Sequence, residues 1–260
     1  MTTPHDSEYA LARRAIGEGF TTLVAVGGDG TWSNVANAIL HAGAGADVRL
    51  GIIAAGTGND FAKSVNAPAH DAARTAQLAV AGPDRCIDVG RVEDRFFLNA
   101  LGFGFDVAVI EDVSRIRWLR GDALYVYSAL RQLRAYRGVQ IDVRSAARAR
   151  AESNHLMLVI ANARRFGGTF LIAPRASLSD GLLDVVAIGD ASTMRRLQLF
   201  GAAVRGTHDR FPEVDVEQTP ALELHFATPP AYETDGEYHR AESAALKVDC
   251  VPGALRLLVA

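Results

Sequence analysis

Apolar and polar positions in the first ninety residues follow two alternating periods. Residues 8–18 place Tyr9, Ala12, Ala15 and Ile16 at the three-to-four spacing of one helical face, and Gly17 and Gly19 end the pattern. Residues 22–26 are a short unbroken apolar run, the texture of a strand buried in a parallel sheet. Helical spacing returns at Val35, Ala38, Ile39 and Ala42 and closes at Gly43; a second buried run follows at 50–55. Residues 59–65 and the alanine-rich 69–81 read as further helices. Alternation of this kind predicts an α/β layer around a parallel sheet.

From about residue 86 the pattern changes. Strand-like runs dominate at 86–92, 95–101, 139–145, 155–161, 183–188, 222–226, 245–250 and 255–259, broken by helical stretches near 122–136 and 192–205. Many strands with few helices predict a β-sandwich-like second domain. The chain is therefore read as two domains, 1–90 and 91–260.

Composition narrows the classes. The chain has 260 residues, 49% hydrophobic and 22% charged, with a formal net charge of −3, which is ordinary for a globular protein and gives no basic surplus for nucleic acid. No apolar run reaches the length that spans a bilayer, and the start has neither the basic nor the apolar segment of a signal peptide, so a cytoplasmic enzyme is expected. Cys86 and Cys250 lack CxxC spacing, and the seven histidines form no HxH or HExxH. Of 27 basic residues only Lys63 and Lys247 are lysine, and no GxxxxGK[ST] occurs, which excludes a P-loop.

Two glycine-rich turns carry the candidate chemistry. Gly27-Gly28-Asp29-Gly30-Thr31 follows the first buried run and opens a helix; Gly56-Thr57-Gly58-Asn59-Asp60-Phe61-Ala62 repeats the arrangement after the second. Glycine lets backbone approach a ligand closely, and N–H groups at a helix start favour phosphate oxygens. Asp29 would repel a bare phosphate and fits a turn that also holds Mg²⁺ or a nucleotide hydroxyl. Taken alone, the first turn is equally a capped strand-to-helix connection, and Asn59 or Asp60 equally an N-cap. In a parallel sheet both turns lie at the carboxyl ends of strands, where open α/β folds bind ligands.

These two motifs, about 29 residues apart, resemble the diacylglycerol kinase catalytic-domain family, which includes bacterial lipid kinases and sphingosine and ceramide kinases. Ordered matches continue at 86–91, 99–106, 166–168, 172–174, 179–184, 206–208 and Thr234-Asp235-Gly236-Glu237. The resemblance implies an α/β domain like that of NAD kinase and phosphofructokinase, a β-sandwich-like domain, and a nucleotide cleft between them. It implies transfer of the γ-phosphoryl of ATP, with Mg²⁺, to a lipid hydroxyl such as that of diacylglycerol. Glu237 would be the general base, with Asp29 and Asp88 as acidic partners around the nucleotide. Gly27, Gly28, Gly30, Thr31, Asn34, Gly56, Thr57 and Asp60 would form the nucleotide site. Asp180, with carbonyls of Ser177 and Leu182, would hold a structural Mg²⁺, although Ser179 stands where the family often has a second acid. Without the family, Asp235-Gly236 is a hairpin turn and Glu237 an exposed strand residue. His239, two residues on, shares its strand face and could tune it.

Three departures bear on activity. The family's first strand usually ends in an asparagine-proline segment, whereas this chain begins after it, with Thr2-Thr3 matching the next element. Ser33-Asn34 stands where Asn-Glu is usual, and the later glycine triplet reads Gly167-Gly168-Thr169. An NAD kinase shares the first motif, and a catalytically weak nucleotide- or lipid-binding protein is the alternative from another class. A homodimer stays open.

Residues 113–137 hold Arg115, Arg117, Arg120, Arg131, Arg134 and Arg137 against one acid, Asp122, interleaved with Trp118, Leu119, Tyr125, Tyr127, Leu130, Leu133 and Tyr136. A basic amphipathic stretch with interfacial aromatics suits transient contact with an anionic membrane. Val126, Leu130 and Leu133 equally suit the core face of an ordinary helix.

Overall fold

The computed structural model describes residues 7–67, 72–116, 122–146 and 149–259. Helix α1 (Glu8–Gly17) starts at Ser7, whose hydroxyl accepts the Ala10 N–H. Strands β1 (Thr22–Gly27) and β2 (Arg49–Ala54) pair in parallel. Between them α2 (Asp29–His41) begins directly after the first glycine turn and buries Trp32, Val35, Ala36 and Ile39 against the sheet. After β2 come the five-residue α3 (Asp60–Ser64) and α4 (Ala72–Ala81).

The β-rich part contains β3 (Asp84–Val92), β4 (Arg95–Phe97), β5 (Ala100–Gly104), α5 (Phe105–Arg115), α6 (Asp122–Ala135), β6 (Val139–Ser145) and β7 (Ala149–Ala161). It continues with β8 (Leu183–Gly189), α7 (Thr193–Val204), β9 (Val214–Thr219), β10 (Ala221–His225), β11 (Ala231–Thr234), β12 (Glu237–Arg240) and β13 (Ala245–Leu258). The strands run β1-β2-β13-β10-β6-β7-β5-β11-β12, with β3 and β4 branching from β13, and β8 and β9 from β7. The α/β layer and the β-sandwich expected from the sequence are both present.

β13 joins the two parts. Its first half pairs antiparallel with β10, while Arg256 and Leu257 pair in parallel with Arg49 and Leu50 of β2. The third parallel strand of the first layer thus comes from the end of the chain, and Leu255 and Leu257 pack in the first core with Ile39, Leu50 and Ile87. The strands expected at 245–250 and 255–259 are one strand. Pro252 and Gly253 (φ +58°) produce a register shift between Val251 and Leu255 rather than a turn.

Two further cores flank the site. Phe97, Leu101, Phe103, Ile141, Leu158, Leu224 and Val248 fill the sandwich interior. On the outer side of β5, β7 and β8, Phe105, Val109, Leu133, Leu156 and Leu199 bind α5, α6 and α7 to the sheet. Each fully buried side chain of this size contributes on the order of 1.5–3 kcal/mol. Arg196, 5% exposed, ties α7 down by donating to Leu133 O at 2.8 Å, Ala191 O at 2.9 Å and Asp190 Oδ1 at 2.5 Å.

α6 corrects one expectation. Leu133 and Leu124 are buried, but Leu130 is 59% exposed and Tyr127 42%, so Leu130 is not a core residue. Arg131 pairs with the buried Asp112 at 2.7 Å and so packs α6 onto α5. Arg134 and Arg137 are exposed. Arg117, Trp118, Leu119 and Arg120 lie outside the described residues, as do the side chains of Tyr125 and Val126. No described helix is long and apolar enough to cross a membrane.

Candidate active site

The two glycine turns lie backbone to backbone. A side chain on Gly56 would come 2.6 Å from Gly28 Cα, so only glycine permits this approach. Ala55 N donates to Gly27 O at 2.8 Å, and Asn59, in the left-handed conformation (φ 53°), donates from Nδ2 to Gly56 O at 2.6 Å. Asp29 joins the turns. Its Oδ1 accepts the Phe61 N–H at 3.0 Å and its Oδ2 the Asp60 N–H at 3.1 Å. Asp29 therefore caps α3, whose own N-cap residue Asn59 makes no side-chain cap bond.

A cleft of about 780 Å³ opens over these turns. Gly28, Asp29, Gly30, Thr57, Gly58 and Asp60 line one side. Ile110, Val113, Leu124 and Phe166 give the cleft an apolar part of its lining. The loop carrying Gly167 and Gly168, both left-handed, closes the rim. Gly168 N donates to Asp60 Oδ2 at 2.6 Å, and Lys63 Nζ reaches Gly168 O at 2.7 Å and Asp60 Oδ1 at 3.7 Å. Burial raises the Asp60 carboxyl above its ordinary range and the Asp29 charge adds to this, while the Gly168 bond opposes it.

Not every expected nucleotide residue faces this cleft. Gly28, Asp29, Gly30, Thr57 and Asp60 do. Gly27 is covered by the Thr31 side chain, and Thr31 itself lines a separate groove with Val26 and Val35. Gly56 is spent on the contact with Gly28.

The Asp235-Gly236 turn has both residues left-handed (φ 52° and 87°), as a two-residue hairpin between β11 and β12 requires. Asp235 is also an anchor. Its carboxylate accepts backbone N–H groups of Leu98 at 2.9 Å, Asn99 at 2.8 Å and Ala100 at 3.3 Å, which explains why the strand expected at 95–101 divides into β4 and β5. Burial pushes its carboxyl up to about 6.

Glu237 follows the turn and sits at a junction. Its carboxylate lies against Gly30 and accepts a hydrogen bond from Asn34 Nδ2 at 3.4 Å. It lines a smaller, polar hollow of about 290 Å³ with Asn34, Arg95, His239 and Tyr9, while Gly30 and Gly236 line the large cleft. Burial raises the Glu237 carboxyl and Arg95 opposes the rise. The Arg95 side chain makes no hydrogen bond or ion pair among the described residues. Burial and Arg95 together push His239 down to about 4, so it faces Glu237's hollow as a neutral ring.

The structure does not bring Asp88 to the cleft. Its side chain accepts Gly181 N–H and Gly253 N–H, each at 2.7 Å, and its own N–H donates to Leu178 O at 2.7 Å. Asp88 therefore fastens the 177–182 loop and the β13 irregularity to β3. Asp180 Oδ1 accepts the N–H of Leu182 at 3.1 Å in a local turn. Among the described residues no three His, Cys, Asp or Glu side chains gather as a metal site. Ser179 supplies no second acid, and Asp88 is already satisfied by N–H donors. Of the three expected Mg²⁺ ligands only Asp180 carries a carboxylate, so a site there would rest on one acid and the carbonyls of Ser177 and Leu182.

Four polar residues at or beside these sites were not singled out from the sequence. Lys63 directly follows the second motif, where its only sequence signal is the rarity of lysine in this chain. Asp106 lies in the first turn of α5, whose β-branched residues soon after Gly104 hide the helix. Glu233 is an acid inside a short strand, and Arg95 follows a turn. Both Asp106 oxygens and Glu233 Oε1 are buried without a hydrogen-bond partner. Burial pushes Asp106 up to about 7, and Glu233 rises through burial and the Asp106 charge.

Comparison with known proteins places this geometry. A family model described as the diacylglycerol kinase catalytic domain matches residues 1–92, and one described as the YegS C-terminal NAD kinase beta sandwich-like domain matches residues 99–259. A diacylglycerol kinase of Mycobacterium tuberculosis is 30% identical over 259 residues, covering 98% of this chain and 81% of its own. A Pseudomonas aeruginosa protein named "Probable lipid kinase YegS-like" is 33% identical over 256 residues, covering 95% and 79%. A crystal structure of a diacylglycerol kinase from Bacillus anthracis shares the fold with a TM-score of 0.74 at 15% identity, over 100% of this chain and 83% of that one. The two family models together span both the α/β layer and the sandwich, and the chain belongs to the diacylglycerol kinase catalytic-domain family of lipid kinases.

Proposed function

We propose that the chain transfers the γ-phosphoryl group of ATP to the hydroxyl of a neutral lipid, diacylglycerol as the leading acceptor, giving phosphatidic acid and ADP. One observation carries the reading: the Glu237 carboxylate rests on Gly30, a residue of the turn that opens onto the large cleft.

The backbone of Gly28, Asp29 and Gly30 at the start of α2, with Thr57 and Gly58, suits the phosphates. The acids that line the cleft suit a divalent cation, and Asp29 and Asp60 belong to the two glycine turns themselves. When bound, Mg²⁺ supplies neutralisation of phosphate charge. Glu237 takes the acceptor O–H proton as that oxygen bonds to the γ-phosphorus and the bridging P–O bond to ADP breaks. Asn34 holds one Glu237 oxygen, leaving the other to accept the proton. Asp235 fixes the turn that carries Glu237. An acceptor embedded in a bilayer requires peripheral contact on the cytoplasmic side, where ATP is available; exposed Tyr127, Leu130, Arg134 and Arg137 suit it.

The test is transfer from [γ-³²P]ATP to a panel of diacylglycerol, monoacylglycerol, sphingosine and ceramide in anionic vesicles, with NAD included. Labelled phosphatidic acid supports the proposal. Label in NADP alone, or in nothing while ATP still binds, overturns it.

A further inference from the structure

The charge of the large cleft is one-sided. Its described lining includes Asp29, Asp60, Asp106, Glu233 and Asp235 and no Lys, Arg or His. Three of these acids have local partners: Asp29 and Asp235 each accept backbone N–H groups with both oxygens, and Asp60 has Gly168 and Lys63. Asp106 and Glu233 differ. Asp106 is 7% exposed and neither of its oxygens is hydrogen-bonded; Glu233 is 2% exposed and bonds only through Oε2, to Gly236 N at 2.6 Å.

The two carboxyls converge. Asp106 follows β5 as α5 begins, and Glu233 of β11 pairs with Gly102 of β5. A side chain on Gly102 would collide with Asp106 Oδ2 and lie 2.8 Å from Glu233 Oε1. Glycine at 102 therefore leaves open the point at which both oxygens meet. Leaving buried carboxyls unpaired is costly, and a polyphosphate entering five acids would be repelled unless cations intervene. Magnesium is commonly held by one or two carboxylates together with substrate phosphates rather than by a full protein cage.

We propose that Asp106 and Glu233 form a divalent-cation site of their own, distinct from Asp29 and Asp60, which takes a Mg²⁺-like ion when the nucleotide enters. This rests on the cleft being the nucleotide site.

The test is a Mn²⁺ titration of the full chain, followed by electron paramagnetic resonance, alone and with a non-hydrolysable ATP analogue. With the analogue, the native chain is expected to bind one more ion than Asp106→Asn/Glu233→Gln. Thermal unfolding in EDTA checks the fold, and Glu233→Gln alone serves if the double variant does not fold. Mn²⁺ should then raise the native unfolding temperature more than the variant's. Equal ion counts for native and variant protein overturn the site and reduce the pair to two acids sharing a proton. If the analogue does not bind yet the counts with Mn²⁺ alone still differ, the site stands and the nucleotide reading fails.

Discussion

Glu237 Oε1 lies so close to Gly30 that a side chain there would bring its first carbon within 2.6 Å of that oxygen. Gly30 is helical and has ordinary φ, so Gly30→Ala should keep or slightly raise stability, by up to about 1 kcal/mol from helix propensity. The flexible carboxylate would move instead. The account predicts a kcat loss of about tenfold or more, because small displacements of a reacting group are costly. Steady-state kinetics beside a urea melt separates the two effects.

Asp235 acts on the base only through the backbone. Asp235→Ala leaves the N–H groups of Leu98, Asn99 and Ala100 without their acceptor and should cost about 2–4 kcal/mol. Asp235→Asn tolerates the left-handed backbone and keeps one accepting oxygen, so its loss should be smaller. In both, kcat should fall more than KM for ATP changes, as kinetics at saturating lipid would show.

Burial raises the Glu237 carboxyl, so transfer should fail on the acid side at a pH above that of an exposed glutamate. Arg95 favours the charged form. Arg95→Gln should therefore move the acid limb of the kcat/KM profile to still higher pH, with little change above it. A pH–rate profile of the two proteins checks the direction.

Arg196 is a stability residue remote from the cleft. Arg196→Met removes its bonds to Leu133, Ala191 and Asp190 and should destabilise by about 3 kcal/mol, discounted because Asp190 is 38% exposed. Specific activity of the folded fraction should be unchanged, which an assay below the melting range would reveal.

Much of the fold was legible where the pattern is local. The run at 139–145 is β6 to the residue, and the helix expected at 8–18 is α1. Long-range pairing was not legible. Nothing in residues 255–257 says that they lie beside β2 rather than within the sandwich, because a buried parallel strand and a sandwich strand have the same apolar texture. α5 was missed because Val107, Val109 and Ile110 are β-branched and follow Gly104, although burial of Val109 in one core with Leu133 and Leu156 overrides that local preference. At the site, the motifs located Asp29, Asp60 and Glu237, but role depended on the partners they meet. Asp88 sits in a matching segment and yet is spent on Gly181 and Gly253, and Asp106 and Glu233 become notable only when folding leaves them unpaired.

The most direct measurement compares native protein and Glu237→Gln for transfer from [γ-³²P]ATP to diacylglycerol in anionic vesicles, with ATP binding measured alongside. The account predicts labelled phosphatidic acid from the native chain, a fall in kcat of about 10²–10⁴-fold in the variant, and unchanged ATP affinity. Full activity in Glu237→Gln would contradict it.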